Sequence, residues 1–65
     1  MRINRKNLAA AMIDREINVS QLSEQSGVSR ATLAAIRAGK SCAESTAQKI
    51  AEALGVNLES LIDKR

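Results

Sequence analysis

GVSRATLAAIRAGK, residues 27–40, carries two competing helical stripes. Ser29 stands where a helix N-cap belongs, because its hydroxyl can accept from an amide of the first turn. Gly39 supplies a residue that tolerates the left-handed conformation at a helix end. Between them, Leu33 and Ile36 form one stripe, and Ala31, Ala34, Ala35 and Ala38 form the other at i, i+3, i+4 and i+7. Periodicity alone selects the alanines as the buried face. Magnitude reverses that choice, since burying a Leu or Ile is worth about 1.5–3 kcal/mol and an alanine methyl far less. Leu33 and Ile36 are therefore expected to turn inward. The alanines then face outward, edged by Arg30 and Arg37 on one side and Thr32 on the other.

Upstream, Asn18 and Gln21 have the spacing of a capping box, in which the Asn oxygen accepts from the helix start and the Gln reaches back. The helix they open carries Leu22 and Ser23 and stops at Gly27, with Val28 plugging the corner. Residues 19–38 thus have the spacing of a helix–turn–helix, whose steeply crossing helices demand small residues at the turn. The same devices serve a corner between two helices in any bundle.

Further out, Asn4 is placed to cap a first helix, with Ile3 and Leu8 as a hydrophobic staple and Met12 and Ile13 continuing the apolar face as far as Ile17. Downstream, Ser45 and Gln48 form a second capping box ahead of Ala47, Ile50, Ala51 and Leu54. Ser41 with Glu44 offers a competing start, and Gly55 marks the stop. Asn57 is placed to cap a last short helix with Leu58, Leu61 and Ile62. No run alternates β-branched and aromatic residues as strands do. The expectation is an all-α bundle of five short helices in one domain, residues 1–65, with the second and third forming the helix–turn–helix.

The composition narrows the function. There is no His, no Pro and no aromatic residue, and a single Cys. No ordinary zinc cage and no Cys–His or Ser–His–Asp couple can be built from that set, and no paired carboxylates stand out, so an enzyme is not expected. One thiol makes no internal disulfide, which suits a reducing, cytoplasmic setting. No apolar run approaches the roughly 20 residues of a membrane span, and Arg2, Arg5 and Lys6 followed by a short Ala-rich stretch do not resemble a secretory leader. A chain of 65 residues buries a modest core, and a partner subunit would help it.

Charge is unevenly placed. Ten Lys and Arg against seven Asp and Glu leave a net +3. Residues 1–13 hold Arg2, Arg5 and Lys6 with no acid, and residues 27–42 hold Arg30, Arg37 and Lys40 with no acid. Two acid-free basic segments suggest a polyanion surface, although charge alone does not distinguish one from solvated surface. A small-residue helical face edged by arginines fits the major groove of double-stranded DNA. Alanine methyls can meet thymine methyls, and Arg30 near the helix start can reach a guanine edge. The amides after Asn18 and Ser29 favour phosphate. Alanine is also simply a strong helix former, and such a stripe would equally serve a protein contact.

Residues 5–62 resemble the phage-repressor and Cro-like helix–turn–helix family, often called the XRE family. The likeness rests on GVSRATLAAIRAGK behind an Asn-capped helix with Leu22, and on AQKIAEALGVNLESLI (residues 47–62), similar to the family's fourth and fifth helices. It implies a lambda-repressor-like fold and a DNA-binding transcriptional regulator. Carried over by position, Arg30, Ala31, Ala34 and Ala35 match base-reading positions. Asn18, Ser29, Thr32, Ala38 and Lys40 match backbone-contact positions, and residues 41–45, beginning with Ser41, match the loop along the phosphates. The last helix and the turn before it, here Val56, Leu58, Leu61 and Ile62, match the family's usual dimer contact.

Five departures qualify the likeness; two of them are that no Pro precedes the fourth helix and that Ser23 stands where Ala is usual. Val19 stands where the family commonly has Gln, which removes a phosphate contact. Arg37 replaces a usual Glu, and Met12 replaces the Arg that can pair with it, which frees Arg37 for phosphate. The expected mode is a homodimeric repressor on a pseudo-palindromic operator, with no cofactor, metal or small-molecule ligand. The rival is an antitoxin-like or adaptor subunit whose alanine stripe or last helix covers a partner protein. Arg2 and Arg5 read equally as an N-terminal arm reaching DNA and as a frayed terminus, and Cys42 reads as a small, inert loop residue.

Overall fold

The computed structural model describes residues 1–62; Asp63, Lys64 and Arg65, which enter the charge balance and the single-domain expectation, lie outside the described residues. Four α-helices follow one another: α1 (Arg5–Asp14), α2 (Val19–Ser26), α3 (Arg30–Arg37) and α4 (Glu44–Leu54). A single 3-10 turn, Leu58–Ser60, follows them. The structure is helical as expected, with four helices and a turn rather than five helices.

Three helix starts are set locally. Asn4 Oδ1 accepts from the Asn7 amide at 3.0 Å. Asn18 Oδ1 accepts from the Gln21 amide at 2.8 Å while Gln21 Oε1 accepts from the Asn18 amide at 2.9 Å, completing the capping box. Ser29 Oγ accepts from the Thr32 amide at 3.2 Å. The fourth start differs from expectation. Helix α4 begins at Glu44, with Ala43 at the cap and no side-chain hydrogen bond, so neither Ser45 nor Ser41 caps it. The phase of α4 is governed by Ala47, Ile50, Ala51 and Leu54, all at or below 3% exposure, and Glu44 in the first turn favours the helix dipole without a cap.

The last segment stays a turn. Asn57 makes no side-chain cap bond; its carbonyl instead accepts from Ser60 Oγ at 2.6 Å. The chain then leaves helical geometry because the Leu61 carbonyl accepts from the Asn4 amide at 2.7 Å, and Ile3 bridges Ile62 antiparallel. A short segment gains little from helix propagation, so a long-range hydrogen bond outcompetes it.

The core draws on every element: Ile3, Leu8 and Met12, then Leu22, Val28, Leu33 and Ile36, then Ala47, Ile50, Ala51, Leu54 and Leu61. No polar side chain is buried among the described residues. Ile13 does not continue the apolar face of α1. It is 76% exposed, because Leu8 and Met12 are one turn apart and Ile13 is rotated about 100° from Met12.

Helix α1 ends in the same way as a glycine-terminated helix, without a glycine. The Glu16 amide donates to the Ile13 carbonyl and the Ile17 amide to the Met12 carbonyl, both at 3.0 Å, while Glu16 takes φ +53°. This is the left-handed cap that glycine favours, and an L side chain there costs about 1–2 kcal/mol. Glu16→Gly is expected to raise stability by roughly 0.5–1 kcal/mol after the entropy of the unfolded glycine is discounted. Urea unfolding at constant m-value checks this, and a lower midpoint contradicts it.

Candidate nucleic-acid interface

Helix α3 shows which stripe is buried. Leu33 and Ile36 are 0% and 1% exposed, while Ala31, Ala34 and Ala38 are exposed and Ala35 is half-buried. The outward side of α3 therefore carries no side chain longer than a methyl over its middle, with Arg30 at its start and Arg37 at its end. An α-helix is about 10–12 Å across with its side chains, which the roughly 12 Å wide major groove of B-form DNA admits.

Helix α2 crosses before it, and the turn between them requires a left-handed residue. Gly27 takes φ +77° and its amide donates to the Ser23 carbonyl at 2.9 Å. Ser23 Oγ in turn donates to the Val28 carbonyl at 2.6 Å. The hydroxyl thus ties the end of α2 to the corner residue, and Val28 is 7% exposed beneath it.

The remaining sequence candidates lie on α2, α3 and the segments that flank them. Asn18 and Ser29, both exposed, sit at the N-termini of these two helices and are already engaged as caps. Ser29 Oγ also donates to Thr32 Oγ1 at 2.9 Å, so half-buried Thr32 is held against the first turn. Arg37, Lys40 and Ser41 are exposed. Arg30 is not a free side chain: its Nη1 donates to Ser20 Oγ on α2 at 3.3 Å. That contact aligns the guanidinium between the two helix starts. Sequence reasoning missed Ser20 because residues ten apart carry no local signal of contact.

Three of the departures meet in space. Met12, Val19 and Arg37 line one surface groove together with Ile13 and Ile17. Met12 is 7% exposed and half-buried Val19 packs on the core, so the edge of α2 beside Asn18 is apolar where a polar contact is usual in the family. Arg37 lines a second groove with Arg5, Lys6 and Ala9.

At the far end of the chain, Leu61 is 1% exposed. Its surface is consumed by the monomer core, whereas Val56, Leu58 and Ile62 are half-buried. Half-buried Cys42 donates its amide to the Met1 carbonyl at 2.7 Å, giving that loop position a backbone role. Among the described residues no three His, Cys, Asp or Glu gather as a metal site, and no helix is long and apolar enough to cross a membrane.

Comparison with known proteins agrees with this geometry. The family model of the Cro/C1-type HTH DNA-binding domain matches residues 7–63. No curated relative matches the chain. Among solved structures, a mutant of hydroxyethylphosphonate dioxygenase contains a similar fold, with a TM-score of 0.86 and 27% identity over 100% of this chain. PhpD with cadmium and complexed hydroxyethylphosphonate is similar at a TM-score of 0.83 and 27% identity. The chain spans 14% of the length of each of those proteins.

Proposed function

The chain belongs to the Cro/C1-type helix–turn–helix DNA-binding family, and from that premise we propose that it is a sequence-specific transcriptional regulator that represses by occupying its operator as a homodimer. In this reading α3 enters the major groove. Arg30, Ala31, Ala34 and Ala35 meet base edges, and Asn18, Ser29, Thr32, Arg37, Ala38, Lys40 and Ser41 meet the sugar–phosphate backbone. Val56, Leu58 and Ile62, backed by buried Leu61, join two copies so that their third helices enter successive grooves about 34 Å apart. Occupancy excludes polymerase, so the role needs neither catalysis nor a cofactor, and it places the protein in the cytoplasm with its DNA.

The observation that supports this most strongly is the division of α3. Leu33 and Ile36 are inside, and a methyl-only surface edged by Arg30 and Arg37 is outside. Such a surface admits the close approach that base-edge contact requires. The test is selection of bound duplexes from a random library, followed by titration of the selected site over a salt series. A symmetric site and a steep salt dependence are the expected result; asymmetric or sequence-indifferent recovery counts against the reading. On the selected site, Arg30→Ala is expected to cost about 1–3 kcal/mol and relax preference at one base pair. Lys40→Ala is expected to weaken all sequences alike and to lower the salt slope by about one.

A second reading has its own support. In the dioxygenase structures the same fold is 14% of a longer chain, so this fold also serves as one part of a larger protein. An antitoxin-like or adaptor role, with the apolar groove at Ile13 or the last turn covering a partner, predicts stoichiometric co-purification of a second chain and a selected library with no consensus.

A further inference from the structure

We propose that Arg2, Arg5 and Lys6 form, with the end of α3, a fixed phosphate-binding groove that grips the duplex backbone beyond the bases α3 covers. The proposal rests on the DNA-binding reading and adds a contact surface outside the helix–turn–helix.

The N-terminal segment is not an arm. The Cys42 amide donates to the Met1 carbonyl and the Asn4 amide to the Leu61 carbonyl, both at 2.7 Å, and Ile3 between them is 1% exposed. Arg2 is therefore flanked by two backbone hydrogen bonds to distant parts of the chain, which removes the frayed terminus as an account of it. These ties bring the first residues against the end of α3. Arg2, Asn4, Arg5, Lys6, Ala38 and Gly39 line an open cavity of about 460 Å³. The Arg5 side chain crosses Gly39, with Cδ and Nε each 3.9 Å from where a Cβ on that glycine would lie. A neighbouring cavity shares Arg5 and Lys6 and adds Arg37.

Neither cavity has an acidic residue in its lining. Four cations held on one surface repel one another, and a polyanion removes that cost while supplying attraction. Because the backbone beneath them is already fixed, binding loses little chain entropy. Position selects the duplex over a small phosphate. The cavity opens at the C-terminal end of α3, where a phosphate strand must pass if the outward face of α3 lies in the groove, and exposed Lys40 and Ser41 continue the same edge. The sequence alone did not reveal this, since Arg5 and Gly39 are 34 positions apart.

The test compares the full chain with an Arg2→Ala/Lys6→Ala double variant, both positions being exposed, on the selected operator with long or trimmed flanks. Circular dichroism should show parental folding. On the long duplex the variant should bind roughly ten-fold more weakly at about 0.1 M salt, with a log–log salt slope smaller by about two, one for each phosphate that the variant leaves unneutralised. Trimming the flanks should weaken the parent and erase its advantage over the variant. Parental affinity and slope in the variant, or a deficit that survives trimming, would overturn the groove while leaving the helix–turn–helix reading intact. Absence of any salt-sensitive duplex binding by the parent would instead defeat both. An amide titration with pyrophosphate separates the sources: saturation of shifts at residues 2–6 at low millimolar concentration would reassign the groove to a free anion.

Discussion

Ala34→Glu should leave the protein folded and reduce its affinity for the operator by about 100-fold or more. Ala34 is exposed at the middle of α3, so its replacement by a good helix former should change stability by no more than roughly 0.5 kcal/mol. In the complex proposed above, the same position would face the floor of a groove walled by two phosphate strands. A carboxylate there meets like charge at short range and blocks the close approach that methyl groups allow, a penalty of several kcal/mol. Ala34→Gln separates the contributions, since it keeps the bulk and removes the charge; its loss should be smaller and less dependent on salt. Thermal melting and fluorescence anisotropy read the two quantities separately. A folded Ala34→Glu variant with unchanged affinity would place the reading surface elsewhere.

The opposite side of the same helix should respond in the opposite way. Leu33 is 0% exposed, and Leu33→Ala should cost about 2–5 kcal/mol through reduced burial and the cavity left behind. A chain of 65 residues has a total stability of roughly 3–10 kcal/mol, so this one change removes a large part of it. The midpoint of thermal unfolding should fall by roughly 10–30 °C. Operator binding should disappear in step with the folded fraction and return on cooling, unlike the loss in Ala34→Glu. Equal destabilisation by the two substitutions would mean that the stripes are not divided as described.

Much of the frame was legible because it is written in short-range chemistry. Asn4, Asn18 with Gln21, and Ser29 each bond an amide three residues away, so residue type and spacing suffice to recognise them. The inward face of α3 was legible for another reason: the burial energies of Leu and Ala differ enough to decide between two periodic stripes. The start of α4 was misplaced because Ser45 and Gln48 satisfy a local capping rule, whereas the helix begins at Glu44 with Ala43 at its cap and no side-chain cap bond. Ile13 was misassigned because being adjacent to Met12 in sequence puts it on a different side of the helix.

The candidate site divides along the same line. Its helical part follows from residues 18–40. The Arg30–Ser20 contact, the convergence of Met12, Val19 and Arg37 on one groove, and the seating of Arg5 over Gly39 come from helix crossings. The antiparallel tie of Ile3 to Ile62 comes from backbone pairing between the two end segments, outside any helix.

From the order of its residues alone, then, this protein has its helices, two of its turns and the inward direction of its large aliphatic side chains, because caps, left-handed glycines and burial energies act over one or two turns of chain. Which charged groups share a surface, and whether the last segment closes as a helix or as a bridge, was settled only when distant backbone amides and carbonyls met. Those partners lie tens of residues apart, and no local preference encodes them.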